Sequence, residues 1–395
     1  MNAQAKNDSL PFAAVSEDAL VGCVTCGLCL PHCPTYRVTG LDVYSPRGRI
    51  AIVNSVKKGE LALDLAAVEA LDSCVQCMGC LPACPSGVRY DEIIAPVVAE
   101  LARRRPGRLH LKRIFLAPLG RPRLLSTLTR LGAMAQRLRL VPLRLSLPHL
   151  PLWQSPHFTS SQPAISDGRR VKLFVGCVMD AWYRPVHEAT VHVLTALGFS
   201  VELTDPAMCC GALHRHAGDD KRASFFEAAC RENLHDDVVV FNSAGCGAQI
   251  SHHIDGAIDV MTLVARNLDR LREITLPVDE AIAIHDACHS RNILRSHADT
   301  HTVLASLYEI KEVPDAGLCC GAGGAYSFDH PDTAVKILDR KYAAIESLGR
   351  VTRLASGNPG CSAHIETHLP ASLGQLRIVH PIELVAERLT TESVK

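Results

Sequence analysis

At 395 residues and 47% hydrophobic content, the chain exceeds what one core usually organises, which excludes a single small module and makes several domains the expectation. Its 41 Lys and Arg balance 41 Asp and Glu, and aromatics are only 5%, so neither total charge nor stacking rings speak for nucleic-acid binding. The unusual quantity is 17 cysteines.

The opening stretch, MNAQAKNDSLPFAAVSEDAL, lacks a basic segment followed by an apolar one, and no stretch reaches the roughly 18 apolar residues of a spanning helix. The expected setting is the cytoplasm, free or peripheral on the inner face of the plasma membrane, where ligation is favoured over disulfides. Eight cysteines lie between Cys23 and Cys84, and nine between Cys177 and Cys361. The pattern reads as an α+β multidomain protein. An all-helical unit occupies residues 1–100, a basic linker 101–165, and two α/β units 166–275 and 276–395.

In the first unit Cys23, Cys26, Cys29 and Cys33, then Pro34, have the spacing C-x2-C-x2-C-x3-C-P, and Cys74, Cys77, Cys80, Cys84 and Pro85 repeat it. This is the established run of bacterial two-cluster ferredoxins, whose fourth cysteine serves the other cluster. The expected wiring is therefore Cys23, Cys26, Cys29 and Cys84 on one 4Fe-4S cluster, and Cys74, Cys77, Cys80 and Cys33 on the other. Structural zinc needs only two C-x2-C pairs and leaves the third cysteine and the x3-C-P ending unexplained. Gly27 and Gly79 sit where backbone is expected to approach inorganic sulfide closely. Between the motifs, Ile50, Val53 and Val56, then Leu63, Ala66, Val68 and Leu71, recur at helical spacing.

The linker, residues 101–165, holds 12 Lys and Arg and no Asp or Glu, so the neutral total conceals a +12 block. A helix is expected over Pro122–Leu140, with Leu124, Leu128, Leu131, Ala135 and Leu138 on one face and Arg123, Arg130 and Arg137 along its flank. That pattern suits a membrane interface or an acidic partner; the other reading is a linker whose leucines pack on their own domain.

The last block alternates strands and helices twice: VKLFVGC, a helix over Pro185–Leu197, VELTD and DDVVVFNSAGC; then EAIAIHDAC, a helix near Thr300–Leu307, YEIKEVPD, a helix over Thr333–Ser347 and TRLASGNPGC. The repeated order predicts an internal duplication with parallel sheets and cysteines at strand carboxyl ends. Cys177, Cys209, Cys210 and Cys246 form the first thiol set, and Cys288, Cys319, Cys320 and Cys361 the second. His285 and His289 flank Cys288, while His214 and His216 follow Cys210, as ligands or hydrogen-bonding neighbours. Gly321, Gly323 and Gly324 read as clearance around a cluster. Cys230 reads as an apolar helix residue.

These units resemble the cysteine-rich CCG domain of heterodisulfide reductase subunits, in which C-x2-C ends each unit. Ser243 and Asn358 stand where the fifth cysteine is expected, which speaks against a five-cysteine non-cubane cluster and leaves a further cubane iron–sulfur cluster, a zinc ion or an empty half as the alternatives. With CVTCGLCLPHCPTYRVTG, SPRGRI and LDSCVQCMGCLPACPSGVRYDEII, the whole chain from about Ala19 resembles the glycolate oxidase iron-sulfur subunit family. The resemblance implies a non-flavin oxidoreductase subunit that takes electrons from an FAD-containing dehydrogenase subunit, beside a second flavin-domain subunit, and passes them to quinone. No G-x-G-x-x-G follows a strand, so hydride abstraction belongs to the partner. Equivalent subunits serving glycerol-3-phosphate, D-lactate or heterodisulfide reductase complexes share the pattern, and a zinc-binding scaffold is the reading from another class.

Overall fold

The computed structural model describes residues 11–140, 148–153 and 168–390, apart from 236 and 316. The first unit carries helices α1 (Glu17–Val21), α2 (Pro34–Thr39), α3 (Pro46–Lys57), α4 (Leu65–Asp72) and α5 (Tyr90–Arg104). Each motif's local chemistry starts or stops a helix. Pro34 opens α2 directly after Cys33, and the Ser45 hydroxyl caps α3 by accepting from the Gly48 amide. The expected Ile50, Val53 and Val56 are buried, with Leu71, Ile93, Ile94 and Val97 beside them. One detail differs: Ala66 is exposed and Ala67 faces the core, because the Asp64 cap sets α4 one residue around.

The C-terminal block forms two parallel four-stranded sheets, one more strand in each than the apolar runs announce. The first runs β2-β1-β3-β4, with β1 Arg170–Leu173, β2 Ser200–Leu203, β3 Val239–Phe241 and β4 Ala257–Asp259. The second runs β6-β5-β7-β8, with β5 Ala281–His285, β6 Glu309–Lys311, β7 Arg353–Ser356 and β8 Arg377–Val379. One core joins the halves reciprocally. Helix Arg184–Ala196 of the first packs on Pro381–Ala386 of the second, and Val260–Ala265 packs on His297–Ala305, as a pseudo-two-fold pair requires.

The basic block divides into two helices of different use. On α6 (Pro106–Leu116), Arg108 pairs with Asp72 of the first unit, Arg108 and Lys112 with Asp329 of the second half, and Arg113 with Asp219 of the first half. These cations strap three units together. On α7 (Pro122–Arg137), Leu125, Thr129 and Ala133 face inward, and Trp182 donates to the Thr129 hydroxyl at 3.0 Å. Of the expected apolar face, Leu124, Leu128, Leu131 and Leu138 are exposed and Ala135 is half-buried, so among the described residues the leucines do not pack on their own domain. The helix also stops at Arg137, short of Leu140. Residues 141–147 and 154–165 of the linker lie outside the described residues. Among the described residues no helix is long and apolar enough to cross a membrane.

Candidate metal centres

The two ferredoxin-type loops lie face to face. Cys23, Cys26, Cys29 and Cys84 line one cavity of about 40 Å³, which Cys80 and Arg47 also border. Cys26 is exposed, whereas Cys33, Cys74 and Cys80 are buried. Burial pushes the Cys80 thiol well above its usual range, and Cys77, Cys74 and Cys33 around it add to the shift. Thiols that cannot ionise singly are a set a metal cation would ionise together. Thr25, Gln76 and Met78 hold left-handed φ of 54°, 57° and 57°, so both loops carry backbone strain.

The S-P-R-G-R tract supplies a cation to each loop. Arg47 donates to the Thr25 carbonyl at 2.8 Å and is ion-paired with Asp42 at 3.0 Å. Gly48 cannot carry a side chain, because a Cβ would stand 2.0 Å from the Asp42 carbonyl oxygen. Arg49 is 2% exposed and donates to the Ala70 carbonyl, to the Thr35 and Ser73 hydroxyls, and to Cys33 Sγ at 3.9 Å. Among the described residues no carboxylate is ion-paired with it. Burial opposes its charge, but Cys74, Tyr90 and Cys33 outweigh burial and hold the guanidinium above its ordinary value. Sequence reading quoted this tract without assigning it a role; a basic pair flanking glycine, adjacent to a cysteine motif, was the available signal.

In both sheets the cysteines stand at strand carboxyl ends, as expected. Cys177 and Cys209 have their sulfurs 3.6 Å apart, and Cys210 and Cys246 3.3 Å, all as free thiols. The second half repeats the pairing among free thiols, with Cys288 hydrogen-bonded to Cys319 and Cys320 to Cys361. Gly211 and Gly321 follow with φ of +81° and +93°, and donate their amides to Cys209 and Cys319 at 3.5 and 3.3 Å. A Cβ would strike Ala223 or Ala334 backbone, which is why each cysteine pair is followed by glycine. At the missing fifth positions, Ser243 hydrogen-bonds with Cys246 and Asn358 Nδ2 donates to Cys361 Sγ at 3.4 Å. The Cys246 thiol is pushed well up, first by its bond with Cys210 and then by burial. The sulfurs gathered at the carboxyl edge of each sheet form a donor set that fits an iron–sulfur centre.

The units also meet one another. Cys77 hydrogen-bonds with Cys319, which with burial raises its thiol well above the usual value, and Val75 packs in one cluster with Cys319, Tyr326 and Cys288. Gly323 and Gly324 clear this junction rather than a cluster: Cβ atoms there would meet Val75 and His216 at 2.7 and 3.2 Å. His216 and His289 lie with ring centroids 5.5 Å apart beside the second loop, where His289 bonds the Gln76 carbonyl at 3.2 Å. His214 stacks on Phe226 instead. Asn358 accepts from the Gly245 amide at 3.1 Å, bridging the Cys246 and Cys361 neighbourhoods. Leu119, just before α7, and Leu125 on its inner face pack with Cys209 and Cys177. Cys230 is buried and donates to the Cys209 carbonyl at 3.3 Å.

Comparison with known proteins agrees. Residues 19–88 match a 4Fe-4S dicluster domain, and residues 171–251 and 282–366 each match a cysteine-rich domain. The chain is 29% identical to the glycolate oxidase iron-sulfur subunit of Escherichia coli (strain K12), over 96% of this chain and 97% of that protein. It is 28% identical to the probable glycolate oxidase iron-sulfur subunit of Bacillus subtilis (strain 168), over 94% and 95%. Lactate utilization protein A of Geobacillus thermodenitrificans (strain NG80-2) is 25% identical over 55% of this chain and 99% of its own. No solved structure matches the chain significantly. The chain is a homologue of the glycolate oxidase iron-sulfur subunits, an iron–sulfur protein that joins a 4Fe-4S dicluster domain to two cysteine-rich domains.

Proposed function

We propose that the chain is the electron-transfer subunit of a flavin-dependent glycolate dehydrogenase complex, receiving electrons from an FAD-containing partner, beside a second flavin-domain subunit, and delivering them towards quinone. Bound clusters supply one-electron transfer; the chain's residues set their order and surroundings. In this reading Cys23, Cys26, Cys29 and Cys84 hold one 4Fe-4S cluster, and Cys74, Cys77, Cys80 and Cys33 the other. Cys177, Cys209, Cys210 and Cys246 hold a centre in the first half; Cys288, Cys319, Cys320 and Cys361 hold one in the second.

The observation that carries the reading is the Cys77–Cys319 contact. It makes neighbouring thiol sets adjoin instead of being insulated by protein. The Asn358 bridge continues the series into the first half, and Leu119 and Leu125 end it beneath α7. Exposed Cys26 marks the opposite end, accessible to a flavoprotein. The bare leucines and arginines of α7 suit the anionic inner face of the plasma membrane, where quinone resides.

The test is anaerobic co-purification with candidate flavoproteins, followed by assay of donor-dependent reduction of a quinone analogue. Glycolate-dependent reduction with iron and acid-labile sulfide is expected. Reduction by D-lactate or glycerol-3-phosphate but not glycolate would replace the donor, and near-zero sulfide would refute electron transfer in favour of a zinc scaffold.

A further inference from the structure

The two cysteine-rich halves are built to the same register, which allows them to be compared position by position. In the first, Leu173, four residues before Cys177, pairs with Val240, six before Cys246. In the second, Ile284, four before Cys288, pairs with Ala355, six before Cys361. The next residue along each central strand is therefore equivalent. It is Phe174 in one half and His285 in the other.

Phe174 is 2% exposed and packs in one apolar cluster with Cys210 and Cys246. His285 is equally buried, and one of its ring nitrogens, Cys320 Sγ and Cys361 Sγ offer ligand atoms all within 4.8 Å of one another. Both ring nitrogens of His285 are inaccessible and make no hydrogen bond. A buried imidazole with neither nitrogen satisfied is destabilising, and the duplicated position in the other half accommodates an apolar ring. The polar ring is explained if one nitrogen has a partner that the polypeptide itself does not provide.

We propose that His285 is a ligand of the centre in the second half, coordinating iron alongside Cys320 and Cys361 in place of the absent fifth cysteine. The duplication has thus diverged into two different centres: all-thiolate in the first half, mixed imidazole–thiolate in the second. Imidazole in place of thiolate removes a negative charge from a cluster and raises its potential, so the two halves differ in electron affinity by ligand type. The inference rests on the reading that each half holds an iron–sulfur centre.

The test uses the full chain, prepared anaerobically and reduced, with histidine-selective 15N labelling and pulsed EPR. A strongly coupled nitrogen that changes from 14N to 15N on labelling is expected, and it should vanish in His285→Cys while iron content is retained. His214→Gln, at a ring that stacks on Phe226 in the other half, should leave it intact. Iron and sulfide sufficient only for the two N-terminal clusters would sink the underlying reading. Full iron and sulfide without a label-sensitive nitrogen, or a coupling unchanged in His285→Cys, would overturn the role of His285 alone.

Discussion

Cys84 and Arg49 show how single residues tie the two loops together. Cys84 belongs to the second motif in sequence but lines the cavity of Cys23, Cys26 and Cys29. Cys84→Ser is expected to abolish the cluster of the first motif and leave the other; EPR of the reduced protein checks this, and selective loss of the Cys74 cluster would reverse the wiring. Arg49 is a buried cation whose neighbours are neutral groups and the Cys33 sulfur. Such a charge is costly unless a buried negative group faces it, and in the proposed wiring cluster thiolates at Cys33 and Cys74 would supply one. Arg49→Met should lower the midpoint potential of that cluster by on the order of 100 mV, from the Coulomb energy at about 7 Å with an effective dielectric near 20. A redox titration followed by EPR measures the shift, and an unchanged potential would mean the cluster does not sense Arg49.

Helices α6 and α7 show that one basic composition can serve two purposes. The cations of α6 meet carboxylates on three units, so they hold the assembly and are not available to a partner. Those of α7, at Arg123, Arg130 and Arg137, are exposed beside a row of bare leucines. Because Leu128 and Leu131 are already exposed, the double change Leu128→Asp, Leu131→Asp should leave the melting temperature nearly unchanged. It should weaken co-sedimentation with vesicles containing anionic lipid by tenfold or more, since inserting even one leucine contributes roughly 1.5 kcal/mol or more. Raised salt should release the unmodified protein as well by screening the arginines. Recovery of the intact complex in the soluble fraction at every ionic strength would remove the membrane from the scheme.

At the scale of the whole molecule, the two halves are stitched by a chain of neutral histidines. Asn242 Nδ2 lies 2.9 Å from His187 Nδ1, and its carbonyl lies 2.8 Å from His380 Nε2. His380 Nδ1 accepts from the Ile382 amide, so Nε2 must carry the proton. Burial pushes His187 down to about 3 and His380 down to about 4. Between those values and the ordinary pKa near 6.5, the unfolded chain binds protons that the folded chain refuses. Stability is therefore fully present above about pH 7 and is lost as pH falls through 6.5, by up to about 1.4 kcal/mol per pH unit for each histidine. Thermal melts between pH 7.5 and 5.5 should show this slope, and His380→Gln should flatten it; a melting temperature independent of pH would contradict the assignment.

How far the sequence could be read follows from the range of the interactions involved. The cysteine spacings, the proline and serine that start helices, and the period of the apolar residues act over a few positions, so the cluster motifs and the duplicated α/β order were legible. Strands β4 and β8 were missed because three-residue strands such as AID and RIV, only partly buried at a sheet edge, carry too little apolar alternation. Linear order is silent on which leucines of α7 face inward, on Cys77 meeting Cys319 across 242 residues, and on Arg49 lacking a carboxylate. The orphaned nitrogens of His285 belong to the same class. The sequence by itself determined which atoms can bind iron; only tertiary packing, through contacts between residues far apart in the chain, decided which of them adjoin and what charge and solvent surround them.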